Sequence, residues 1–109
     1  MSLKASDLLK NMLAAAKGEF EAAWPDVKDY AKSAFKNLAE TMVMIGRLEL
    51  EGKVTRKQAK LLLDIQKNTA RTVMLTIEGM GILAVERAIN AALKAVQETV
   101  NTALGWKLL

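Results

Sequence analysis

Three observations predict an all-α protein. Apolar residues recur every three or four positions along nearly the whole chain, proline occurs once (at position 25), and one glycine-centred turn at Glu51–Thr55 sits between helix stop and start signals. The 109 residues read as one helical domain, 1–109. The predicted fold is a long antiparallel helical hairpin or a four-helix bundle. Its helices fall at about 3–23, 25–50, 55–78 and 82–104, and the last two are open to fusion into one continuous helix.

The first helix is predicted from about Leu3 or Ser6 to Ala23. Ser6 has the hydroxyl of an N-cap, and Asp7 favours the positive end of the helix dipole. Leu9, Met12, Leu13, Ala16, Phe20, Ala23 and Trp24 draw one apolar stripe, with Lys10, Lys17, Glu19 and Glu21 off it. Gly18 is a tolerated weak spot. Pro25 lacks an amide hydrogen and disfavours helical geometry at Trp24, so it predicts a kink or a tight corner. No Gly, Ser or Asn separates the two helices, which argues against a wide loop.

Pro25-Asp26 suits the start of the second helix, proline at the first position and a carboxylate in the first turn. Val27, Ala31, Ala34, Phe35, Leu38, Met42, Ile45 and Leu48 give it a clean apolar face. Lys28, Asp29, Lys32, Lys36, Asn37 and Glu40 give it a wet one. Gly52 then suits a left-handed residue ending this helix. Thr55-Arg56-Lys57-Gln58 fits a capping box, Thr as N-cap and Gln reaching back from the third position. Two long helices meet here as an antiparallel hairpin.

From Thr55 to Leu104, apolar residues at helical spacing span about fifty positions, which as one straight rod would reach about 75 Å. The interruption, if there is one, is Gly79-Met80-Gly81. A helix–helix loop usually carries polar turn residues and none is present, so a glycine-softened helix competes with a true corner. Pro25 lies 28 residues before Lys53 and Gly81 lies 28 after it, so both weak points fall at one level of the hairpin. Register therefore places Trp24 over Gly79 and Gly81. Alternatively both arms fold there, giving a compact bundle. Ala84, Ala88, Ala91, Ala92 and Ala95 form a small-residue flank suited to tight packing, Gly105 suits a C-cap, and Trp106–Leu109 reads as a short tail.

Composition narrows the chemistry. Cysteine and histidine are both absent, which removes thiolate chemistry, disulfides, the commonest general base and the commonest metal ligand. Glu78, Glu86 and Glu98 share no spacing that aims them at one metal centre, and no Gly-rich phosphate loop or nucleophile–base pair is evident. The expectation is a non-enzymatic protein with no catalytic residues, metal or cofactor. Glu78 is surrounded along the helix by Met74, Leu75, Gly81 and Ile82. It reads as an ion-paired carboxylate, with Lys28 as partner, or an exposed one, against a perturbed acid as the functional alternative. The aromatic residues and Met42, Met44, Met74 and Met80 read as packing groups.

The net charge of +4 is unevenly spread: residues 52–71 alone carry six Lys/Arg against one Asp/Glu. Lys53, Arg56, Lys57, Lys60, Lys67 and Arg71 form a basic zone, a candidate contact for an anionic partner. A straight hairpin could not hide its apolar surface alone. Leu62, Ile65, Val73, Ile77, Met80, Ile82, Val85, Ile89, Leu93 and Val96 are therefore candidates for an oligomer interface. No export signal or membrane span is visible, which points to a cytoplasmic protein. The functional expectation is a self-association or protein-interaction module, as a homo-oligomer with a dimer favoured. The alternative is a peripheral amphipathic-helix protein on lipid or another hydrophobic surface, and the third is weak nucleic-acid binding through the basic hairpin tip.

Overall fold

The structure is a computed structural model that describes residues 3–77 and 79–109. Among these residues it contains four α-helices: α1 (Ala5–Phe20), α2 (Trp24–Leu50), α3 (Arg56–Leu75) and α4 (Ile82–Leu104). Each packs on its neighbours in sequence, and α1 closes the ring against α4. The fold is therefore an up-down-up-down four-helix bundle. Its longest dimension is 43 Å, far short of the rod a fused α3–α4 helix would make. Of the two predicted topologies the bundle is the one formed.

The hairpin turn forms as its residues dictate. Gly52 has φ of 73°, and the amides of Gly52 and Lys53 donate to the carbonyls of Glu49 and Leu48 at 3.0 and 2.9 Å. This crossed pair is the Schellman closure of a helix C-terminus. Two residues on, the Thr55 Oγ1 accepts from the Gln58 amide at 3.0 Å while the Gln58 side chain accepts from the Thr55 amide at 2.8 Å. The capping box thus satisfies two amides that the first turn of α3 would otherwise leave unpaired.

Three further features fix the helix ends, the first against expectation and the other two choosing between the predicted alternatives. First, α1 starts at Ala5 with Lys4 as its N-cap and no side-chain cap, so Ser6 lies inside the first turn and does not cap it. Second, α2 begins at Trp24 with Pro25 in its first turn, and the tight corner before it is a single 3-10 turn, Glu21–Ala23, in which Glu21 adopts φ of 50°. Third, Gly79-Met80-Gly81 is a true corner: Gly79 takes φ of 82°, which only glycine adopts freely, and Gly81 is extended as the N-cap of α4. Conformational freedom at one residue replaces the polar turn chemistry that a loop usually needs. Trp24 does not cover these glycines. A methyl group built on either meets nothing within 4 Å among the described residues, and Trp24 instead stacks on Phe20 with ring centroids 6.2 Å apart. Glu78, and with it the suggested pair to Lys28, lies outside the described residues.

The core runs along the bundle axis. Phe35, Leu8, Met12, Leu38, Met42, Ile45, Met74, Ile89, Val27, Val85, Val96 and Val100 are its largest fully enclosed side chains. No polar or charged side chain is buried among the described residues. Ala16, Ala31, Ala39, Ala59, Ala70, Ala88 and Ala92 are sealed between them, so each helix contributes small residues where backbones approach. The last residues are no free tail. Leu108 is buried, and Asn101 of α4 holds the segment: its Oδ1 accepts from the amides of Leu108 and Leu109 at 3.1 and 3.0 Å, and its Nδ2 donates to the Leu109 main-chain oxygen at 3.2 Å.

Candidate functional site

The basic zone does not form one continuous surface. Arg56, Lys60, Lys67 and Arg71 share the side of α3 that borders α4, as their spacing implies, but most of their charge is already matched. Arg56 pairs with Glu49 at 3.4 Å and lies over the Trp106 ring at 5.4 Å. Arg71 is the best enclosed of the six: it forks onto Glu86 of α4 and also donates to Asn68. Lys53 meets Glu51 at 3.2 Å and Lys67 meets Asp64 at 3.9 Å. Lys57 and Lys60 are left as the cations of the zone without a carboxylate in ion-pair range among the described residues.

Lys60 and Lys67 instead join two lysines from elsewhere in the chain. Between α3 and α4 lies a groove of about 480 Å³, rimmed by Lys60, Lys67, Lys94 and Lys107 and floored by Leu63, Leu93 and Leu108. Sequence reasoning missed Lys94 and Lys107, because the contribution of α4 and the final segment depends on how the helices are arranged. Spacing along one helix carries no signal of it. The lower end of the groove is shaped by the docked final segment, where Gln97 adds a 3.2 Å hydrogen bond to the Leu109 main-chain oxygen.

A second surface lies on the outer side of α3. Gln58, Leu61, Ile65, Thr69 and Thr72 follow one another at helical spacing, and no charged residue interrupts them. Leu61 and Ile65 are 55% and 62% exposed, although large aliphatic side chains usually find cover in a folded domain. Thr69 and Thr72 donate their hydroxyls to the carbonyls of Ile65 and Asn68 at 3.1 and 2.9 Å. Their polar atoms are therefore occupied within the helix, which lowers the cost of covering this face. Met44 of α2 is also 46% exposed and stands level with Leu62 on the hairpin register.

The ten residues considered for an oligomer interface divide accordingly. Val85, Ile89 and Val96 are completely enclosed in the protein's own core and leave that set; the folding back of α4 against the other helices has already covered them. Leu62, Val73, Ile77, Met80 and Leu93 are half-buried against the core. Ile65 and Ile82 are exposed, and Leu83, at 69%, joins them. Leu75, Ile82 and Leu83 flank the Gly79–Gly81 corner and form a separate apolar end.

Among the described residues no group of three or more Asp, Glu, His or Cys side chains could hold a metal ion, and no helix is long and apolar enough to cross a membrane. Compared with protein-family models, curated proteins and solved structures, the chain matches none.

Proposed function

We propose that the protein is a helical self-association module in which two copies pair through the outer faces of their α2–α3 hairpins. The observation that carries this reading is the uncharged strip on α3, with Leu61 and Ile65 both more than half exposed. The outward positions of the other helices carry charges at regular intervals, such as Lys28, Lys32 and Lys36 on α2 or Arg87, Lys94 and Glu98 on α4. A strip without charges, edged by Gln, Asn and Thr, has the make-up of an interface centre with a polar rim. A two-fold arrangement follows from using one patch on both copies.

Magnitudes define the extent of the contact. The strip from Gln58 to Thr72 is about 21 Å long and about 10 Å wide, so α3 alone offers roughly 200 Å² in projection. A stable interface needs about 800 Å² from each partner. The pairing therefore recruits Met44 and the α2 flank as well as Leu62 and Val54. Light scattering after size-exclusion chromatography, over a range of concentrations, tests this. Dimer mass in the wild type and monomer mass in Ile65→Glu and Leu61→Glu, with helical content unchanged, support it. A wild-type monomer at high micromolar concentration refutes it.

A second reading, contact with lipid or another hydrophobic surface, draws on Leu75, Ile82 and Leu83 around the glycine corner. That corner lies about 30 Å along α3 from Arg56, so Lys53, Arg56 and Lys57 would not steer it onto an anionic membrane. Flotation with neutral vesicles and a Leu83→Glu control separates this reading from dimerisation. Nucleic-acid binding at the hairpin tip has the least support, since most of the cations there already face carboxylates.

A further inference from the structure

The α3–α4 groove lies about 140° around α3 from Ile65, on a face the proposed dimer does not use. Its volume of about 480 Å³ is within the range of small-molecule sites. Its rim is strongly biased in sign. Among the lining side chains four are lysines, Lys60, Lys67, Lys94 and Lys107, and one is a carboxylate, Asp64, held near Lys67 at 3.9 Å; the terminal carboxyl of Leu109 also lies in the lining, its oxygen engaged by Gln97 and Asn101. The remaining polar side chains of the lining are the neutral amides Asn90 and Gln97, and Gln97 is engaged with Leu109. Below them Leu63 and Leu108 are buried, Leu93 is half-buried, and the methylene stems of the lysines extend the apolar walls upward. An occupant therefore needs a negative end that reaches the rim and an apolar body that lies on the floor.

The shape narrows the class further. From Lys60 to Lys67 and from Asn90 to Gln97 each wall is about 10 Å long, room for a single alkyl chain of medium length. No arginine and no helix N-terminus belongs to the lining, and these are the groups that usually seat phosphate. A carboxylate asks less: one or two ammonium groups suffice, and Lys60, Lys94 and Lys107 have no carboxylate partner within the described residues. We propose that this groove binds a medium-chain alkyl carboxylate, its head group at Lys60, Lys94 and Lys107 and its chain along Leu63, Leu93 and Leu108.

The test is a titration of the isotope-labelled full chain with decanoate below its micelle concentration, followed by amide resonances. Decanol and decyltrimethylammonium serve as neutral and cationic comparisons. Saturable shifts at Leu63, Lys67, Leu93, Lys94 and Leu108 are expected with decanoate, with roughly tenfold weaker binding of the other two probes. Lys60→Glu and Lys94→Glu replace exposed side chains and leave the fold intact; together they weaken decanoate binding by about tenfold. Ile65→Glu leaves decanoate binding unchanged, which keeps this result separate from that of the dimer. Equal affinity for decanoate and decanol overturns the proposal. So do shifts confined to the Leu61–Ile65 strip, or an acidic peptide that occupies the groove where decanoate does not.

Discussion

The corner between α1 and α2 has its one glycine in the wrong place, and this makes a sharp prediction. Glu21 adopts φ of 50° and ψ of −117°, a region that L-residues with a side chain enter at a cost of about 1–3 kcal/mol. Gly18, three residues earlier, sits inside α1, where glycine forfeits about 1 kcal/mol relative to alanine. A methyl group at Gly18 would meet nothing within 4 Å. Exchanging the two requirements should therefore stabilise the protein twice over. Glu21→Gly relieves the strain, less up to about 1 kcal/mol for the freer unfolded chain, for a net gain of about 0.5–2 kcal/mol. Gly18→Ala adds about 1 kcal/mol from helix propensity and the unfolded state. For a chain of 109 residues the unfolding entropy is about 0.23 kcal/mol/K, so each kcal/mol raises Tm by about 4 °C. The assay is thermal unfolding by far-ultraviolet circular dichroism at one fixed protein concentration, because self-association would make Tm concentration-dependent. Glu21→Ala, which removes the carboxylate but keeps the Cβ, is the control and should leave Tm nearly unchanged. The strain argument fails if Glu21→Gly lowers Tm, since glycine would then have contributed only its unfolded-state entropy.

Other elements give further expectations. Thr55→Ala leaves the Gln58 amide without its acceptor and should cost about 1 kcal/mol, read as a fall in the urea midpoint with an unchanged slope. Phe35 is fully enclosed at the centre of the core, so Phe35→Ala should cost about 3–5 kcal/mol and leave little folded protein at 37 °C. Asn101→Ala removes the hydrogen bonds that dock the final segment. The amides of Leu108 and Leu109 should then exchange with solvent much faster while those of α2 keep their protection. Trp106 is instructive in the opposite sense: its buried indole N–H has no acceptor among the described residues, so Trp106→Phe should cost less than about 1 kcal/mol despite the smaller ring.

Much of the fold was legible because it rests on short-range chemistry. The Glu51–Thr55 turn, its capping box, the positive φ of Gly52 and Gly105 and the apolar stripe of α2 depend on residues within one helical turn of each other. Ser6 misled because a competent capping side chain does not oblige the chain to enter its helix there. Trp24 misled for a different reason. Levelling residues along a hairpin says how far they lie from the turn and leaves open which way each side faces. The candidate sites were less legible. Six cations in the turn and along α3 read as one patch, and four of them face carboxylates, two of which, Glu49 of α2 and Glu86 of α4, come from other helices.

What the sequence determined by itself was helical periodicity, the positions of the breaks and the absence of histidine and cysteine chemistry. Those follow from local propensity and composition, which act before any tertiary contact exists. Only the tertiary structure decided that Gly79–Gly81 is a corner and that Val85, Ile89 and Val96 are spent on the protein's own core. It also decided that Lys94 and Lys107 meet Lys60 and Lys67 across a groove. A hairpin paired with a second copy and a bundle closed on itself bury much the same stripes. The choice between them rests on whether one glycine with φ of 82° lets α4 turn back before another chain can cover it.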